Sequence, residues 1–395
     1  MKNLRTLPEN IKIQNKIVFL RVDFNVPIRN GKISDNTKIL KMKGIVKEFL
    51  SRKAKIILCS HLGRPQKKGK KGLSMISLKK EIEKIFKQKI DFLDDLLKKN
   101  TKKKITLSKK KLFLLENIRF YKEEEQNNAR FAKKLANLAD LYVNEAFSCS
   151  HRSHASITAI TKFIDSYAGK TIIEELSSLK KIFYKSNKPI TCIIGGSKIS
   201  TKIDLISNLI KQVDTVIIGG AMANNFLKYN NYEIGKSLIE PDKENTIKNI
   251  ISETKKYKCN LYIPEDVVVA KNESGKAINK SLFEIQNDDI IFDIGKETIV
   301  SIRKIIDTSK TILWNGPVGF FEKNSFANGS NKIAHFIKNR TKKKLLVSIA
   351  GGGDTAAAIR KAGAMNGFSY ISTAGGAFLE WLEGKTLPGL KVLEK

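Results

Sequence analysis

The sequence predicts an α/β protein: two open, mostly parallel-sheet (Rossmann-like) domains joined by a hinge helix, with a cleft between them. Three observations support this prediction: a length of 395 residues, short apolar runs that alternate with amphipathic stretches, and a long amphipathic stretch near the middle. At roughly 100–200 residues per domain, the length fits about two domains. Repeated strand–helix–strand units imply right-handed crossovers and therefore parallel sheets.

The apolar runs are mostly continuous rather than alternating, which is typical of parallel strands covered on both faces. In the first half they span residues 17–24, 55–59, 112–115 and 141–143. In the second half they span residues 190–194, 215–218, 261–263, 290–294, 311–314, 345–349 and 368–371. We predict a strand at each place.

Two amphipathic stretches define the organisation of the helices. The apolar spacing after Thr37 predicts a helix that Asn36 or Thr37 caps. Residues 170–184 predict the connecting helix, with one apolar side made of Ile172, Ile173, Leu176, Leu179 and Ile182. We place the break near residues 166–169, which gives domains of residues 1–168 and 169–383. A junction with little slack predicts hinge motion.

The net charge of +34, from 73 Lys+Arg against 39 Asp+Glu, suggests an anionic partner. The basic runs at residues 67–71 and 98–111 carry no aromatic side chain on which bases stack. This argues against nucleic acid as the main partner and favours electrostatic steering of small polyanions.

The four cysteines, Cys59, Cys149, Cys192 and Cys259, are far apart and form no CxxC pair. This is typical of reduced thiols in a cytosol and argues against a disulfide framework or a zinc site. No apolar run reaches the roughly 18 residues of a membrane span, and the N-terminus has no apolar signal core. We therefore expect a cytoplasmic monomer that does not enter membranes.

Arginine, histidine and asparagine follow the first four predicted strands, in residues 21–27, 60–65, 116–120 and 144–154. Ligands of open α/β sheets bind beyond the carboxyl ends of strands. An isolated arginine there is commonly a surface ion pair, and His154 alone is more often structural. The set of Arg64, Arg119 and Arg152 with His61 predicts a site for a compact, highly charged anion.

Glycine marks the strand ends of the second half, in residues 195–198, 219–221, 315–319 and 351–355. Glycine lets phosphates approach backbone amides, and a helix start adds positive charge. Asp354 either caps that helix or holds Mg²⁺. Lys198 and Lys202, one helical turn apart, are predicted to face the same phosphates. The two halves together predict a phosphotransferase.

Two other nucleotide motifs are incomplete. Gly235, Lys236 and Ser237 end like a P-loop, but position 230 is Asn where the first glycine belongs. Residues 351–356 resemble a dinucleotide fingerprint, but no acidic residue lies between residues 355 and 379, which argues against NAD binding.

Two highly specific strings are Arg-Val-Asp-Phe-Asn-Val-Pro at residues 21–27 and Trp-Asn-Gly-Pro-Val-Gly at residues 314–319. Together with further segments, in order over nearly the whole chain, they resemble the phosphoglycerate kinase family. The resemblance implies reversible phosphoryl transfer from 1,3-bisphosphoglycerate to MgADP, giving 3-phosphoglycerate and MgATP in glycolysis and gluconeogenesis. In-line transfer on domain closure is implied, as is a C-terminal tail, about residues 384–395, that packs back on the first domain.

The resemblance also implies the site residues. The catalytic residues are Lys38, Lys198 and Gly352. The substrate-binding residues are Asp23, Phe24, Asn25, Lys38, His61, Leu62, Gly63, Arg64, Arg119 and Arg152. The nucleotide-binding residues are Gly196, Lys198, Lys202, Gly219, Asn315, Glu322, Gly351, Gly352, Gly353, Asp354 and Thr355, with Asp354 on the Mg²⁺.

The chain departs from the family pattern at four positions. Lys38 stands where the family normally has an arginine, which keeps the charge but loses the fork, so we predict a slower enzyme. Arg29 is a candidate for compensation. Glu145 and Thr201 replace Asp, and Lys296 replaces Pro. Two alternatives stay open: a catalytically weakened nucleotide- and anion-binding homologue, and a basic nucleic-acid binder on an enzyme scaffold.

Overall fold

The computed structural model describes residues 3–29, 31–65, 73–95, 98, 100–184, 187–372 and 374–395, with residues 29, 32 and 181–184 described by their backbone only. The chain divides into two compact units: Met1–Leu176 with Thr386–Lys395 form unit 1, and Ser177–Lys385 form unit 2. The basic run at residues 67–71, residue 99 of the second run and the side chain of Arg29 lie outside the described residues.

Unit 1 contains a parallel sheet with the strand order β5-β6-β4-β1-β7-β8. These strands are β1 (Ile17–Arg21), β4 (Lys55–Cys59), β5 (Ile90–Leu93), β6 (Leu112–Leu115), β7 (Leu141–Asn144) and β8 (Ser166–Ala168). A short antiparallel hairpin pairs β2 (Ile28–Arg29) with β3 (Lys32–Ile33). Residues 166–168, where we predicted the domain break, thus form an edge strand.

Helices cover both faces of this sheet. They are α1 (Thr37–Lys41), α2 (Lys43–Ser51), α3 (Ile76–Phe86), α4 (Thr101–Leu107), α5 (Lys122–Glu125) and α6 (Ala129–Ala136). Successive residues of β1 point to opposite faces. Val18 and Leu20 pack with α1, α2 and α3, whereas Ile17 and Phe19 pack with α6. Coverage of both faces explains why the strands are continuously apolar.

The start of the first helix differs from the prediction. The Asn36 side chain makes no capping bond, because its Nδ2 donates to Glu81 Oε1 at 2.9 Å. Asp35 Oδ1 instead accepts the N–H of Thr37 at 2.9 Å. The single predicted helix is also broken into α1 and α2.

The connecting helix α7 (Lys170–Tyr184) has the predicted bounds. Ile172, Leu176 and Leu179 are buried, but Ile173 is 36% exposed and does not belong to the buried side. The Ile182 side chain lies outside the described residues. The division between the units falls inside α7, after Leu176, whereas the predicted boundary follows residue 168.

Unit 2 contains a second parallel sheet, with the order β11-β10-β9-β15-β16-β17. Its strands are β9 (Ile190–Ile194), β10 (Thr215–Ile218), β11 (Asn260–Tyr262), β15 (Thr311–Asn315), β16 (Val347–Gly351) and β17 (Tyr370–Ser372). The run at residues 290–294 is not part of it. That run is β14 (Ile290–Ile294), which joins β12 (Asp266–Ala270) and β13 (Ile278–Ser281) in an antiparallel sheet that we did not predict.

The helices of unit 2 are α8 (Ile203–Ile210), α9 (Ala223–Tyr229), α10 (Glu244–Lys256), α11 (Lys296–Thr308), α12 (Asn328–Lys342), α13 (Gly353–Lys361) and α14 (Gly376–Leu382). The core on one face of the sheet combines Ile312 and Trp314 of β15 with Ile302 of α11 and Ile333 of α12.

The last residues of the chain belong to unit 1 and include the short helix α15 (Pro388–Lys391). The N–H of Gly389 donates to the Ser150 carbonyl at 2.8 Å, and the N–H of Lys395 donates to the Asn3 carbonyl at 2.9 Å. All four cysteines are buried free thiols. Within the described ranges, no helix combines the length and apolarity needed to cross a bilayer.

Candidate active site

In unit 1, predicted substrate-binding residues meet beyond the carboxyl ends of β6, β4, β1 and β7, which are neighbours in the sheet. Asn25 Oδ1 accepts the N–H of Gly63 at 2.8 Å, and Arg119 Nη1 donates to the Gly63 carbonyl at 2.9 Å. Phe24 and Leu62 are buried behind them. The segments after β1, β4 and β6 are therefore joined by hydrogen bonds.

The carboxylate of Asp23 lies at the centre of this cluster. Lys38 Nζ donates to Asp23 Oδ2 at 2.6 Å, Ser148 Oγ donates to the same oxygen at 2.5 Å, and the N–H of Asn25 donates to Oδ1 at 3.0 Å. Burial alone would raise the pKa of Asp23, but the charge of Lys38 and the hydrogen bonds from Lys38 and Ser148 together outweigh burial and hold the pKa well below its usual range. Ser148 was not among the predicted residues, although it lies between two of the motifs.

His61 is a buried imidazole beside these groups. Its Nδ1 lies 3.8 Å from Cys149 Sγ. Burial, mainly, lowers the pKa of His61 well below its ordinary value; Asp23 opposes this, and the cations Arg21 and Arg119 lower the pKa further. The imidazole is therefore neutral at neutral pH and serves as a hydrogen-bonding group, not as a charge.

The three predicted arginines occupy different environments. Arg119 Nε is buried without a hydrogen-bond partner in the described part of the chain, and its ion pair with Glu125 is 3.7 Å long. Burial and the charge of Arg152 lower the pKa of Arg119. Arg152 Nε donates to His151 Nε2 at 3.1 Å. Arg64 is exposed.

A buried polar network supports the segment that carries Arg152. Arg21, 1% exposed, donates from Nε to Ser156 Oγ at 2.9 Å, and Ser156 Oγ donates to Glu124 Oε1 at 2.6 Å. His154 Nδ1 lies 3.7 Å from Glu124 Oε1, and burial lowers the pKa of His154 to about 3. His154 is therefore a neutral structural residue, as a histidine alone at this sequence position more often is.

In unit 2, the glycine-rich loops follow β9, β15 and β16, which are also neighbours. The loops of β9 and β15 are in close contact, since a Cβ on Gly195 would lie 1.9 Å from the Pro317 carbonyl oxygen. Gly352, with φ of +101°, precedes α13 in a conformation that favours glycine. The loops thus bring backbone segments without side chains together at one edge of the sheet.

Lys202 connects these loops. Its ammonium donates to Asn315 Oδ1, and Asn315 Nδ2 donates to the Gly351 carbonyl at 2.7 Å. Burial lowers the pKa of Lys202. Lys198 is exposed, and residues 198–202 form a turn before α8 begins at Ile203, so the two lysines are not related by one helical turn as predicted.

The N-terminus of α13 lies beside the same loops. Thr355 Oγ1 accepts the N–H of Gly316 at 2.7 Å and donates to the Gly351 carbonyl at 2.8 Å. Asp354 lies in the first turn and is exposed, and the capping position belongs to Gly352, so Asp354 is not the cap. A Cβ on Gly353 would meet nothing within 4 Å, which leaves the helix start open to a ligand.

A cavity of about 450 Å³ opens next to these loops. Predicted residues on its lining are Gly196, Glu322 and Asp354, whereas Gly219 lies behind it, against Val318. The apolar part of the lining was not predicted from the sequence; it includes Ala221, Leu238, Val267, Ile291, Val318 and Phe320. Val267 and Ile291 come from the antiparallel sheet and the others from coil segments. Of the six, only Ala221 and Val318 fall within motifs singled out in the sequence.

The family model for phosphoglycerate kinase matches residues 9–385. The chain belongs to the phosphoglycerate kinase family. A phosphoglycerate kinase of Wolbachia sp. subsp. Brugia malayi is 44% identical over 98% of this chain and 97% of its own length. One of Wolbachia pipientis wMel is 45% identical over 98% of each chain. The solved phosphoglycerate kinase structure from Coxiella burnetii superposes with a TM-score of 0.88 at 36% identity, covering 99% of both chains.

These likenesses confirm the function predicted from the sequence: the chain is a phosphoglycerate kinase by family and an enzyme of the phosphotransferase class. The two-sheet α/β fold is likewise that of the phosphoglycerate kinases.

The structure gives local reasons for three departures from the phosphoglycerate kinase pattern. Thr201 Oγ1 donates to the Lys198 carbonyl at 2.9 Å and so braces the turn. Lys296 is the first residue of α11, and its N–H, which proline lacks, donates to Asn279 Oδ1 at 2.9 Å. Glu145 caps α7, as discussed below. Each substitution has a place in the fold of this chain.

Proposed function

We propose that this phosphoglycerate kinase moves a phosphoryl group reversibly between the acyl phosphate of 1,3-bisphosphoglycerate and ADP, giving 3-phosphoglycerate and ATP. The observation that carries the proposal for unit 1 is Arg119. Its buried Nε has no partner among the described residues, and its pKa is lowered by burial and by a second cation. Such an arrangement is stabilised by an anion, and the glycerate phosphate supplies one.

In this proposal the substrate-binding residues are the predicted ones. Asp23 and Asn25 bind glycerate oxygens through the network that contains Lys38 and Gly63, and neutral His61 adds a hydrogen bond. Arg64, Arg119 and Arg152 bind the phosphate, because forked donors suit a multi-oxygen anion.

The nucleotide is assigned to unit 2. Its phosphates meet Lys198, Lys202 and the N-terminus of α13, where backbone N–H groups and the helix dipole favour negative charge. The cavity beside the loops is the place for the base, since its lining is mostly apolar, as in base-binding pockets. Gly352 brings its backbone amide to the transferred group.

Mg²⁺ fits the exposed carboxylate of Asp354. Magnesium binds nucleotides through one or two carboxylates together with phosphate oxygens and water, and it needs no all-protein cage. Among the described residues, no group of three or more His, Cys, Asp or Glu side chains is arranged for a metal, so a single carboxylate shared with the nucleotide is the arrangement this chain offers. Bound there, the ion would neutralise charge on the phosphates.

Catalysis in this proposal is positioning and electrostatic stabilisation. Attack is in line, charge spreads over the equatorial oxygens of the phosphoryl group, and no covalent intermediate is required. Lys38 and Lys198 contribute positive charge near the transferred group. Because the two substrates are assigned to different domains, residues 1–168 with the tail 384–395 and residues 169–383, we further propose hinge motion about α7. We expect a cytoplasmic monomer.

The Lys38 substitution has a structural consequence for this mechanism. Lys38 Nζ is already paired with Asp23 at 2.6 Å, so its charge is partly neutralised by the protein rather than directed only at substrate. Arginine at this position has enough donors to keep Asp23 and to reach a phosphoryl oxygen. We therefore expect Lys38→Arg to raise kcat about tenfold, with little change in the KM for ADP.

The test is ATP formation from 1,3-bisphosphoglycerate and MgADP by the natural chain and by Lys38→Arg. Lys43→Arg, a change on the exposed start of α2, is the matched control. Turnover by all three supports the kinase, and equal kcat values would refute the role of Lys38. A natural chain without turnover that arginine restores would establish the alternative, a homologue that only binds nucleotide and anion.

A further inference from the structure

Residues 195–202, the phosphate loop, are held at two further points in unit 2, besides the bonds of Gly195 and Lys202 to Asn315. At the first point, the Gly196 carbonyl accepts the N–H of Met222, just before α9, at 3.0 Å. At the second, both carboxylate oxygens of Glu240 bind Ser200: Oε2 accepts its N–H at 2.8 Å and Oε1 accepts its hydroxyl at 2.5 Å. Ser197 and Lys198 lie between the two points.

The backbone of Glu240 is itself fixed to α9 by a buried asparagine. Asn225 Nδ2 donates to the Glu240 carbonyl at 2.6 Å, and Asn225 Oδ1 accepts the Glu240 N–H at 3.3 Å. The neighbouring Asn224 holds the same coil two residues before Glu240, since its Nδ2 donates to the Leu238 carbonyl at 3.0 Å. The coil that carries Leu238 and Glu240 pairs with no strand among the described residues, so the two asparagine side chains supply the hydrogen bonds that hold its backbone.

Leu238 lines the cavity assigned to the nucleotide base and is 57% exposed. One short coil segment therefore supplies a wall of the base cavity and, two residues later, the anchor of the phosphate loop. Partial burial alone would raise the pKa of Glu240, but the hydrogen bonds from Ser200 outweigh it and lower the pKa, so the anchor is charged at neutral pH.

We propose that Glu240 is a positioning residue for the nucleotide, which fixes the phosphate loop through Ser200 and couples the geometry of that loop to the wall of the base cavity. The inference rests on the proposed nucleotide site in unit 2. Glu240 does not touch the reacting atoms; it determines where Lys198 and Lys202 present their charges. Its loss should therefore weaken nucleotide binding without affecting glycerate binding.

The experiment measures KM for MgADP and for 1,3-bisphosphoglycerate in Glu240→Ala, Glu240→Gln, Ser200→Ala and the double variant Glu240→Ala with Ser200→Ala. We expect Glu240→Ala to raise the KM for MgADP about tenfold, as for loss of a hydrogen bond to a charged group. Glu240→Gln and Ser200→Ala should each raise it about threefold, because each keeps one of the two hydrogen bonds. The double variant should match Glu240→Ala, since the effects share one contact. The KM for 1,3-bisphosphoglycerate should stay constant.

Glu244→Gln, at the exposed start of α10, is the control for charge alone. Additive effects of Glu240→Ala and Ser200→Ala, or an equal rise in both KM values, would overturn the inference. The variant Lys202→Met distinguishes failure of the proposed role of Glu240 from failure of the nucleotide-site assignment. If Lys202→Met weakens MgADP binding while Glu240→Ala does not, only the role of Glu240 is wrong; if neither does, the nucleotide site itself is misplaced.

Discussion

At the scale of single residues, Asp293 is a carboxyl group, 1% exposed, whose hydrogen bonds come from backbone N–H groups. Oδ1 accepts the N–H of Ile294 at 2.9 Å, Oδ2 accepts the N–H of Gly329 at 2.8 Å, and no cation among the described residues pairs with it. Burial raises the pKa of Asp293 to about 7. A Cβ on Gly319 would lie 2.0 Å from Oδ1, so the loop before Glu322 packs directly on this carboxyl.

This raised pKa makes stability depend on pH. Between about pH 4 and pH 7 the folded chain keeps a proton on Asp293 that the unfolded chain has released, so the free energy of unfolding falls as pH rises through that window. Asp293→Asn removes the titration. We expect the stability of the variant relative to the natural chain to improve by about 2 kcal/mol between pH 5 and pH 8. Urea unfolding at both pH values measures it, and a difference independent of pH would show that Asp293 titrates normally.

The predictability of site residues depends on where their partners lie in the chain. His61 and Arg119 follow strands inside recognisable motifs, so residue type and strand end indicate a role together. Ser148, Glu124 and Glu240 have no such signal. Ser148 contacts Asp23 across 125 positions of sequence, and only the fold shows that these side chains meet.

At the scale of elements, the start of α7 is held by a buried carboxylate from a neighbouring strand end. Glu145, directly after β7, accepts the N–H of Lys170 at 2.9 Å and the N–H of Thr171 at 2.7 Å. Gly169 leaves room for it, since a Cβ there would lie 2.1 Å from the Glu145 carboxyl carbon. The helix is thereby fastened to the segment that leads to Ser148 and Arg152.

Removal of this cap should destabilise the protein. Glu145→Ala leaves two N–H groups of the helix start without their partner, so we expect a loss of about 1–2 kcal/mol in the free energy of unfolding. Glu145→Asp, the residue usual in the family, should recover part of it. Glu174→Ala, on an exposed position of the same helix, is the control for loss of a charge. Denaturant unfolding of the variants measures the free energy of unfolding. Equal losses of stability in Glu145→Ala and Glu174→Ala would contradict a capping role for Glu145.

Elements were predictable where burial on both faces made a continuous apolar run. The bounds of β4, β6, β9 and β10 equal those of the predicted runs, because helices cover both sides of these strands. The antiparallel strands β12 and β13 were missed. β13 is mostly exposed and polar, so its place in a sheet depends on pairing with β12 rather than on an apolar pattern.

At the scale of the whole molecule, basic residues outnumber acidic ones and the net charge is +34, so many positive side chains have no acidic residue to pair with. Like charges repel one another in the compact state more than in the expanded unfolded chain, and salt screens that repulsion. We expect the same positive surplus to raise the encounter rate with anionic substrates.

We therefore expect the melting temperature to rise by about 2–5 °C as NaCl increases from about 0.01 M to about 0.2 M, since screening shortens the range of the repulsion. Differential scanning calorimetry measures the shift, with sucrose at equal osmolality as the control for solvent exclusion. A melting temperature that falls with salt would mean that attractive ion pairs dominate the electrostatics of the fold.

The packing of residues 386–395 within unit 1 has a consequence for how the chain is made. The Gly389 N–H reaches the Ser150 carbonyl, beside the segment that carries Arg152, only after residues 177–385 have been translated. At roughly 5–20 residues per second, the ribosome takes roughly 10–40 s over that stretch. The first half of the nascent chain therefore waits, with Ser150 uncovered, until residues 386–395 leave the exit tunnel and complete unit 1.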